Sequence, residues 1–310
     1  MRRTTIITTT LALLMVWFTG SAAQAADEPH PVNYNFLENA AMYGAQPSAP
    51  GQNIWSCKPT EAHPRPVVLV HGTAGSAAGN WGTLSAVLAN AGYCVFALTY
   101  GENPALTSSP VPVGGMNKME DSAVELDAFV DKVLKATGTS KVDLVGHSQG
   151  TLMPAYYAKF LDGAAKIDHY VSLAPVWHGG GVSTLGQLMV AGAAYGFKAE
   201  DVLPIAQFGP EVISGSPFMN KIREGGAAVA GVRYTNIVTK YDEVVVPYTS
   251  GIEPGMKNVV LQDHCAKDYS DHLQIPSSPN AIRLVQNALD PAHAEPVECR
   301  RVLPVNGFVY

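Results

Sequence analysis

The chain has 310 residues, of which 47% are hydrophobic and 15% are charged, and its formal net charge is −6 at pH 7. A mildly acidic chain without a basic stripe argues against nucleic acid and against anionic membranes as partners. After the first 25 residues no apolar run is long enough to span a bilayer, so stable membrane insertion is not expected.

The first 25 residues have the layout of a secretory signal peptide. Arg2 and Arg3 give a positive start, an apolar run covers residues 11–18, and small residues at the cleavage positions end with Ala25. The apolar stretch is too short for a convincing membrane span. We therefore expect cleavage near Ala25, secretion, and a mature chain of residues 26–310 whose length suits one domain.

Four cysteines lie in the mature chain: Cys57, Cys94, Cys265 and Cys299. An even number in an exported protein predicts two disulfides, and four cysteines allow three pairings. We favour the two local pairs, Cys57–Cys94 and Cys265–Cys299, each of which would contribute roughly 3–4 kcal/mol in the loop-entropy description. The cysteine spacings do not match a zinc site.

Regular secondary structure is predicted only after residue 56. Residues 26–56 are rich in Pro, Asn and Gly, show little periodicity and are expected to wrap the surface. Short apolar runs typical of buried strands then alternate with amphipathic helices, which predicts a mostly parallel sheet with helices on both faces. The strands are predicted at 66–70, 94–100, 142–145, 169–173, 233–238 and 258–262, and the helices at 81–88, 124–134, 153–160 and 282–289.

The alternation breaks between Gly179 and Gly225. Apolar residues such as Leu185 and Leu188 recur there at helical spacing, although Gly192 weakens the helix prediction. One interpretation is an ordinary core helix with irregular packing. The other is a cap or lid over residues 179–225 whose apolar side lines an acyl pocket.

Residues 146–150, Gly-His-Ser-Gln-Gly, form the strongest chemical motif of the chain. They fit the G-x-S-x-G nucleophile elbow, and the required strand before it and helix after it are both predicted. The glycines are needed because the serine lies on a strained turn at which side chains in the flanking positions would clash. The motif predicts an α/β-hydrolase fold with Ser148 as the nucleophile.

A serine nucleophile needs a base, and the base needs an orienting acid. In this fold the acid and then the histidine follow the serine along the chain. Asp242, just past a predicted strand, is the leading acid, and Glu243 is its rival. Among His264, His272 and His293 we favour His272 as the base, because apolar residues after it can fix the loop ahead of the final helix. His264, directly after a strand, is the alternative. His293 is expected to face solvent.

Two backbone N–H groups are expected to bind the oxyanion, those of Gln149 and Thr73. Removing one such donor typically costs roughly 3–4 kcal/mol of transition-state stabilisation. The Thr73 hydroxyl could contribute as well, or Thr73 could be a simple turn residue. His71 and His147 precede the serine, so they are expected to pack around the elbow and not to act as bases.

Taken together, these motifs resemble the secreted actinobacterial lipases of the class 2 lipase family and, more distantly, Candida antarctica lipase B. The resemblance covers nearly the whole mature chain from the first cysteine to the last. Its pieces, in chain order, are Cys57, Gly72-Thr73, Cys94, Ser148-Gln149-Gly150, Leu173-Ala174-Pro175, Asp242-Glu243-Val244-Val245, Cys265, Asp271-His272 and Cys299.

The resemblance implies Ser148, Asp242 and His272 as catalytic triad and Thr73 and Gln149 as oxyanion hole. It also implies the two local disulfides and ester hydrolysis without a cofactor. No carboxylate cluster of the sequence indicates a calcium site, so no metal site is assigned, and a calcium ion that bridges distant loops stays an open alternative. Lipase B has Thr-Trp before its serine, where this chain has Gly-His, and the 179–225 segment differs in length and glycine content, so lid behaviour and acyl-length preference do not transfer.

We therefore expect a secreted triacylglycerol lipase that acts on a lipid or another apolar ester through an acyl-enzyme, as a monomer. The same triad would serve an esterase for short-chain or polymeric esters, or an acyltransferase. A non-catalytic binding protein could also use this scaffold, since fold alone does not decide function.

Overall fold

The computed structural model describes residues 28–106, 109–179, 206–305 and 307–308. The strands of the main sheet are β1 (Val67–Val70), β2 (Val95–Leu98), β3 (Val142–His147), β4 (Ile167–Leu173), β5 (Arg233–Val238) and β6 (Lys257–Val260). They pair in parallel in the order β2-β1-β3-β4-β5-β6. Near the C-terminus, β7 (Val302–Leu303) and β8 (Gly307–Phe308) form a small antiparallel pair. The predicted parallel sheet is confirmed.

Helices cover both faces of this sheet. They are α1 (Phe36–Tyr43), α2 (Ala77–Asn90), α3 (Met119–Thr137), α4 (Met153–Phe160), α5 (Pro217–Arg223), α6 (Leu261–His264) and α7 (Pro279–Leu289). Because side chains alternate along a strand, Val68 and Val70 of β1 pack with α3 and α4, whereas Val67 and Leu69 pack with α2 and α7. Full burial of one such aliphatic side chain is worth roughly 1.5–3 kcal/mol.

Local sequence determines where several helices begin and end. Ser76 precedes α2, and its hydroxyl oxygen accepts a hydrogen bond of 3.0 Å from the N–H of Gly79. Ser278 caps α7 in the same way, accepting from the N–H of Ala281 at 3.2 Å. Helix α3 ends at Thr137, and the next residue, Gly138, has a φ of 78° in the left-handed region.

Two predictions about secondary structure are wrong. Residues 36–43, expected to lie in an irregular wrapping segment, form α1, which buries Phe36 and Ala40. This helix is only 8 residues long, too short for its periodicity to stand out. The last predicted strand, 258–262, ends at Val260, and the chain continues as α6, because a short apolar run fits a strand or a buried helical turn equally well.

Two disulfides are present. Cys57–Cys94 has a Cα–Cα distance of 5.7 Å and joins the segment before β1 to the residue before β2. Cys265–Cys299 has a Cα–Cα distance of 4.9 Å and ties the loop after α6 to the C-terminal tail. Both disulfides are consistent with an extracellular protein. Within the described ranges, no helix combines the length and the apolar character that a bilayer crossing needs.

Much of the predicted cap lies outside the described residues, as does the predicted signal peptide. Residues 206–225, the described C-terminal part of the cap segment, contain α5. Its Phe218, Met219 and Ile222 are buried in the same core as α3 and α4. This part of the segment is therefore an integral part of the core.

Candidate active site

Ser148 lies on a sharp turn between β3 and a 3-10 turn, with a φ of 55° in the left-handed region. Such a backbone costs a non-glycine residue about 1–3 kcal/mol and persists only where its surroundings hold it. A Cβ at Gly146 would lie 2.1 Å from the carbonyl oxygen of Gly150, and a Cβ at Gly150 would lie 2.1 Å from that of Val70. Glycine is therefore required on both sides, as the motif predicts.

The structure brings Ser148, His272 and Asp242 into one hydrogen-bonded row. Nε2 of His272 lies 2.8 Å from Oγ of Ser148, and Nδ1 lies 3.0 Å from both carboxylate oxygens of Asp242. All three residues are buried. The serine hydroxyl can donate to Nε2 while the Nδ1–H donates to the carboxylate, so the row can carry the serine proton onto the imidazole.

The carboxylate of Asp242 is fixed by its own loop after β5. Its Oδ1 accepts hydrogen bonds from the backbone N–H groups of Val244, at 3.0 Å, and Val245, at 2.7 Å. Side-chain acceptance from residues two and three positions later is typical of an aspartate turn. The loop therefore orients the acid before any substrate arrives.

The environment of His272 favours its charged form. Burial on its own would lower the pKa of the imidazole, but the carboxylates of Asp242, Glu243 and Asp271 outweigh it and the pKa is raised above its ordinary value. The imidazolium that forms on proton transfer is thereby stabilised.

The rival candidates lie elsewhere. His264 is exposed at the end of α6, and the His293 side chain is 82% exposed and pairs with Asp290. Glu243 approaches His272 through the backbone, accepting its N–H at 3.0 Å. None of the three takes a place in the row.

The two predicted oxyanion donors belong to adjoining segments. A Cβ at Gly72 would lie 3.0 Å from the Cβ of Ser148, so the loop after β1 passes directly beside the nucleophile. The hydroxyl of Thr73 donates to Oε1 of Gln149 at 3.0 Å. This hydroxyl therefore links the two loops whose backbone N–H groups would face the oxyanion.

His71 orients the first of these loops, a role that sequence reasoning missed. Its Nδ1–H donates to the carbonyl oxygen of Gly72 at 2.7 Å, and the N–H of Gly75 donates to the same oxygen at 3.1 Å. In a trans peptide the N–H points opposite to the C=O, so fixing the Gly72 carbonyl also fixes the Thr73 N–H. Burial lowers the pKa of His71 to about 4, which leaves the ring neutral.

An apolar cavity of about 230 Å³ begins next to this loop. Helix α1 supplies part of its wall and the start of α2 another part. The lining residues are mostly small or apolar: Leu37, Ala40, Ala41, Gly44, Ala74, Gly75, Ser76, Gly79, Asn80, Val111 and Pro112. Ala74 and Gly75 follow Thr73 directly, so the cavity adjoins the loop that carries the predicted oxyanion donor Thr73.

In the described ranges one group of side chains has the spacing of metal ligands: Asp143, Asp168 and His169. Nε of Arg65 lies 2.9 Å from Oδ1 of Asp143 and 2.9 Å from Oδ2 of Asp168. A guanidinium thus already neutralises both carboxylates. The group lies at the start of β3 and β4, at the end of the sheet opposite Ser148, so it fits an ion-pair network better than a cation site.

Residues 64–285 match the sequence model of the lipase (class 2) family. Lipase B of Aspergillus fumigatus is similar in structure, with a TM-score of 0.57 and 21% identity over 81% of this chain; the chain spans 57% of the length of that protein. Mature lipase BlEst2 of Bacillus licheniformis is also similar in structure, with a TM-score of 0.55 and 16% identity. The alignment covers 75% of this chain and 94% of the BlEst2 chain. At such identities the likeness establishes the α/β-hydrolase fold alone.

Proposed function

Since the chain belongs to the class 2 lipase family, we propose that it is a secreted serine hydrolase of carboxylic esters with triacylglycerols as its substrate class. Ser148 is the nucleophile, His272 the base and Asp242 the orienting acid. The observation that carries the proposal is the 2.8 Å contact between Nε2 of His272 and Oγ of Ser148.

The first half of the reaction forms an acyl-enzyme. Oγ of Ser148 attacks the ester carbonyl carbon while Nε2 of His272 takes the hydroxyl proton. The negative charge moves to the carbonyl oxygen, where the N–H groups of Gln149 and Thr73 bind it. When the tetrahedral intermediate collapses, the imidazolium gives its proton to the departing alcohol and the acyl group stays on Oγ.

The second half repeats these steps with water. His272 takes a proton from the water, whose oxygen attacks the acyl carbonyl. Collapse of the second intermediate breaks the bond to Oγ, and the histidine returns a proton to Ser148. Throughout, Asp242 holds the imidazole in the tautomer that leaves Nε2 free to accept. These steps use only groups of the chain, the ester and water.

The cavity beside Thr73 supports an apolar substrate. An apolar cavity of about 150 Å³ holds a benzene molecule, so the 230 Å³ found here would accept an apolar group of roughly nine carbons. We propose that one apolar arm of the ester lies in this cavity.

The proposed secretion has a direct check. Expression of the full chain in an exporting host should yield a protein that begins near Ala26, measured by intact mass. A secreted product that retains residues 1–25 would remove the signal-peptide assignment.

Covalent labelling tests the catalytic assignment. A p-nitrophenyl alkylphosphonate should modify Ser148 at one equivalent per chain, located by peptide mass spectrometry. Ser148→Ala should lower kcat about 10⁶-fold on p-nitrophenyl esters. Ser172→Ala, which changes a buried serine at the end of the neighbouring strand β4, is the matched control and should keep its activity. Absence of labelling together with an active Ser148→Ala variant would leave a binding protein as the better interpretation.

A second assay separates a lipase from an esterase. Initial rates on emulsified long-chain triacylglycerol are compared with rates on soluble short-chain p-nitrophenyl esters. A lipase hydrolyses the emulsion, and a protein that cleaves only the soluble esters is an esterase for short-chain or polymeric substrates. Addition of an alcohol acceptor reveals any acyltransfer as a new ester product.

A further inference from the structure

The backbone of His272 is held on both sides by neighbours of the other two catalytic residues. Its N–H donates to Oε2 of Glu243, the residue after Asp242, at 3.0 Å. Its carbonyl oxygen lies 2.8 Å from Nε2 of His147, the residue before Ser148. The turn at the end of β3 and the loop after β5, which carry Ser148 and Asp242, therefore also hold the histidine loop.

The proton of His147 must be on Nε2. Burial, together with the nearby His272, lowers the pKa of His147 well below its ordinary value, so the ring is neutral and has one N–H. A carbonyl oxygen can only accept a hydrogen bond. The 2.8 Å contact with the His272 carbonyl therefore makes Nε2 the donor.

Asn80 completes this arrangement. Nδ1 of His147 is then an acceptor and lies 3.1 Å from Oδ1 of Asn80, whose Nδ2 is buried without a partner in the described part of the chain. Two acceptors cannot share a hydrogen bond, so the amide must present Nδ2 to the ring. The two ends of an amide have nearly the same shape. Turning it over lets Nδ2 donate to Nδ1 of His147, and it gives up the 3.4 Å contact that Oδ1 accepts from the Gly72 N–H. The hydrogen bonds then run from Asn80 through His147 to His272.

We propose that His147 and Glu243 form a backbone clamp on His272, two hydrogen bonds that keep its imidazole within reach of Ser148. The proposal rests on the proposed hydrolase function. His272 lies in a turn between α6 and α7, outside any strand or helix, and such segments are the more mobile parts of a protein. Anchoring the peptide groups on both sides removes that freedom, so both residues are positioning residues.

The two hydrogen bonds of the clamp should contribute unequally to positioning His272. His147 is 2% exposed, and its bond to the His272 carbonyl is shielded from water. Glu243 is exposed, so water competes for its carboxylate and salt screens it. We therefore expect the larger effect at His147.

Replacing His147 tests the buried half. The amide nitrogen of glutamine can take the place of Nε2, so His147→Gln should keep kcat within about fivefold of wild type. His147→Phe keeps a ring but loses the donor, and its kcat should fall about 10- to 100-fold with little change in KM. Phenylalanine and glutamine at His169, a buried histidine at the far end of the sheet, are the matched controls and should leave kcat unchanged.

Replacing Glu243 tests the exposed hydrogen bond of the clamp. The readout is the pH dependence of kcat/KM, which a purely structural role of Glu243 would not change. The ring of His272 faces the carboxylates of Asp242, Glu243 and Asp271, while His147 beside it is neutral. Glu243→Gln keeps an acceptor for the N–H but removes one negative charge. It should keep kcat and move the acidic limb of the kcat/KM profile to lower pH.

Glu243→Ala loses the acceptor as well and should lower kcat about two- to fivefold. Glu298→Gln, which removes an 84% exposed carboxylate, is the charge control and should leave the profile in place.

Several outcomes would overturn the clamp. They are a kcat of His147→Phe within twofold of wild type, a His147→Gln variant as impaired as His147→Phe, and a pH profile unchanged in Glu243→Gln. If His147→Phe does not fold, judged by thermal unfolding, the two Glu243 variants decide the test. Failure of the proposed function looks different, because wild type itself would then neither cleave esters nor label at Ser148.

Discussion

Replacing Asp242 by asparagine tests whether this carboxylate sets the tautomer of His272. Oδ1 of Asp242 accepts the N–H groups of Val244 and Val245, and Oδ2 lies 3.0 Å from Nδ1 of His272. In the variant the amide oxygen must take the place of Oδ1, because only an acceptor satisfies the two N–H groups. The NH₂ group then occupies the place of Oδ2 and faces the imidazole.

An NH₂ group only donates, so it opposes a proton on Nδ1, and we expect the ring proton to move to Nε2 even though the amide oxygen also lies 3.0 Å from Nδ1. Nε2 lies 2.8 Å from the Ser148 hydroxyl, and once protonated it cannot take the serine proton. The same change in the triad of a serine protease lowers kcat about 10⁴-fold, which corresponds to about 5 kcal/mol in the activation free energy. We expect a loss of this size for Asp242→Asn, with the fold preserved.

The assay is steady-state hydrolysis of a p-nitrophenyl ester, with the thermal unfolding midpoint measured in parallel. Asp271→Asn is the matched control: Asp271 is 7% exposed, and its Oδ1 accepts the N–H of Gln274 at 2.8 Å, a bond that an amide oxygen retains. This control should keep kcat within about fivefold of wild type. A folded Asp242→Asn variant with kcat within tenfold of wild type would refute the tautomer argument.

Three further predictions follow from the site, its cavity and the disulfides. kcat/KM should fall as the pH drops below the raised pKa of His272, since the protonated ring cannot act as a base; a rate that stays constant far into the acid range would exclude this histidine. Val111→Phe, which narrows the cavity, should shift the preferred ester to shorter chains, whereas Val124→Phe on the surface should not; equal chain-length profiles would remove the cavity from the substrate site. Loss of the Cys265–Cys299 disulfide through a double serine variant should lower the free energy of unfolding by roughly 3–4 kcal/mol in urea titration, and an unchanged midpoint would contradict it.

The central sheet could be predicted from the sequence because its strands are buried on both faces. In such strands nearly every residue is apolar, as in Val67–Val70, so the run stands out without any alignment. Helix α1 could not be found in this way. Its helical state depends on packing against α2, a contact between segments that are far apart in the chain.

In the candidate active site, too, local features could be predicted from the sequence and long-range contacts could not. The elbow at Ser148 could be predicted because the glycines around it are required locally, where backbone segments lie too close together for a side chain. His272 and His264 are harder to tell apart from sequence, since both follow β6 and only the path of the loop decides which one lies within reach of the serine. The bond from His147 to His272 joins residues 125 positions apart, and no local pattern encodes it.

The strand order gives a reason why the acid follows β5. Ser148 stands at the end of β3 and Asp242 lies beyond the end of β5, with β4 between these strands. Neighbouring strands are about 4.8 Å apart, so β3 and β5 are separated by roughly 10 Å. An imidazole with one hydrogen bond at each end spans most of that distance, here 2.8 Å to the serine and 3.0 Å to the aspartate. The sheet thus fixes the distance between Ser148 and Asp242, and the loop after β6 has only to place one imidazole between them. Holding the backbone of that loop therefore matters as much as having a histidine in it.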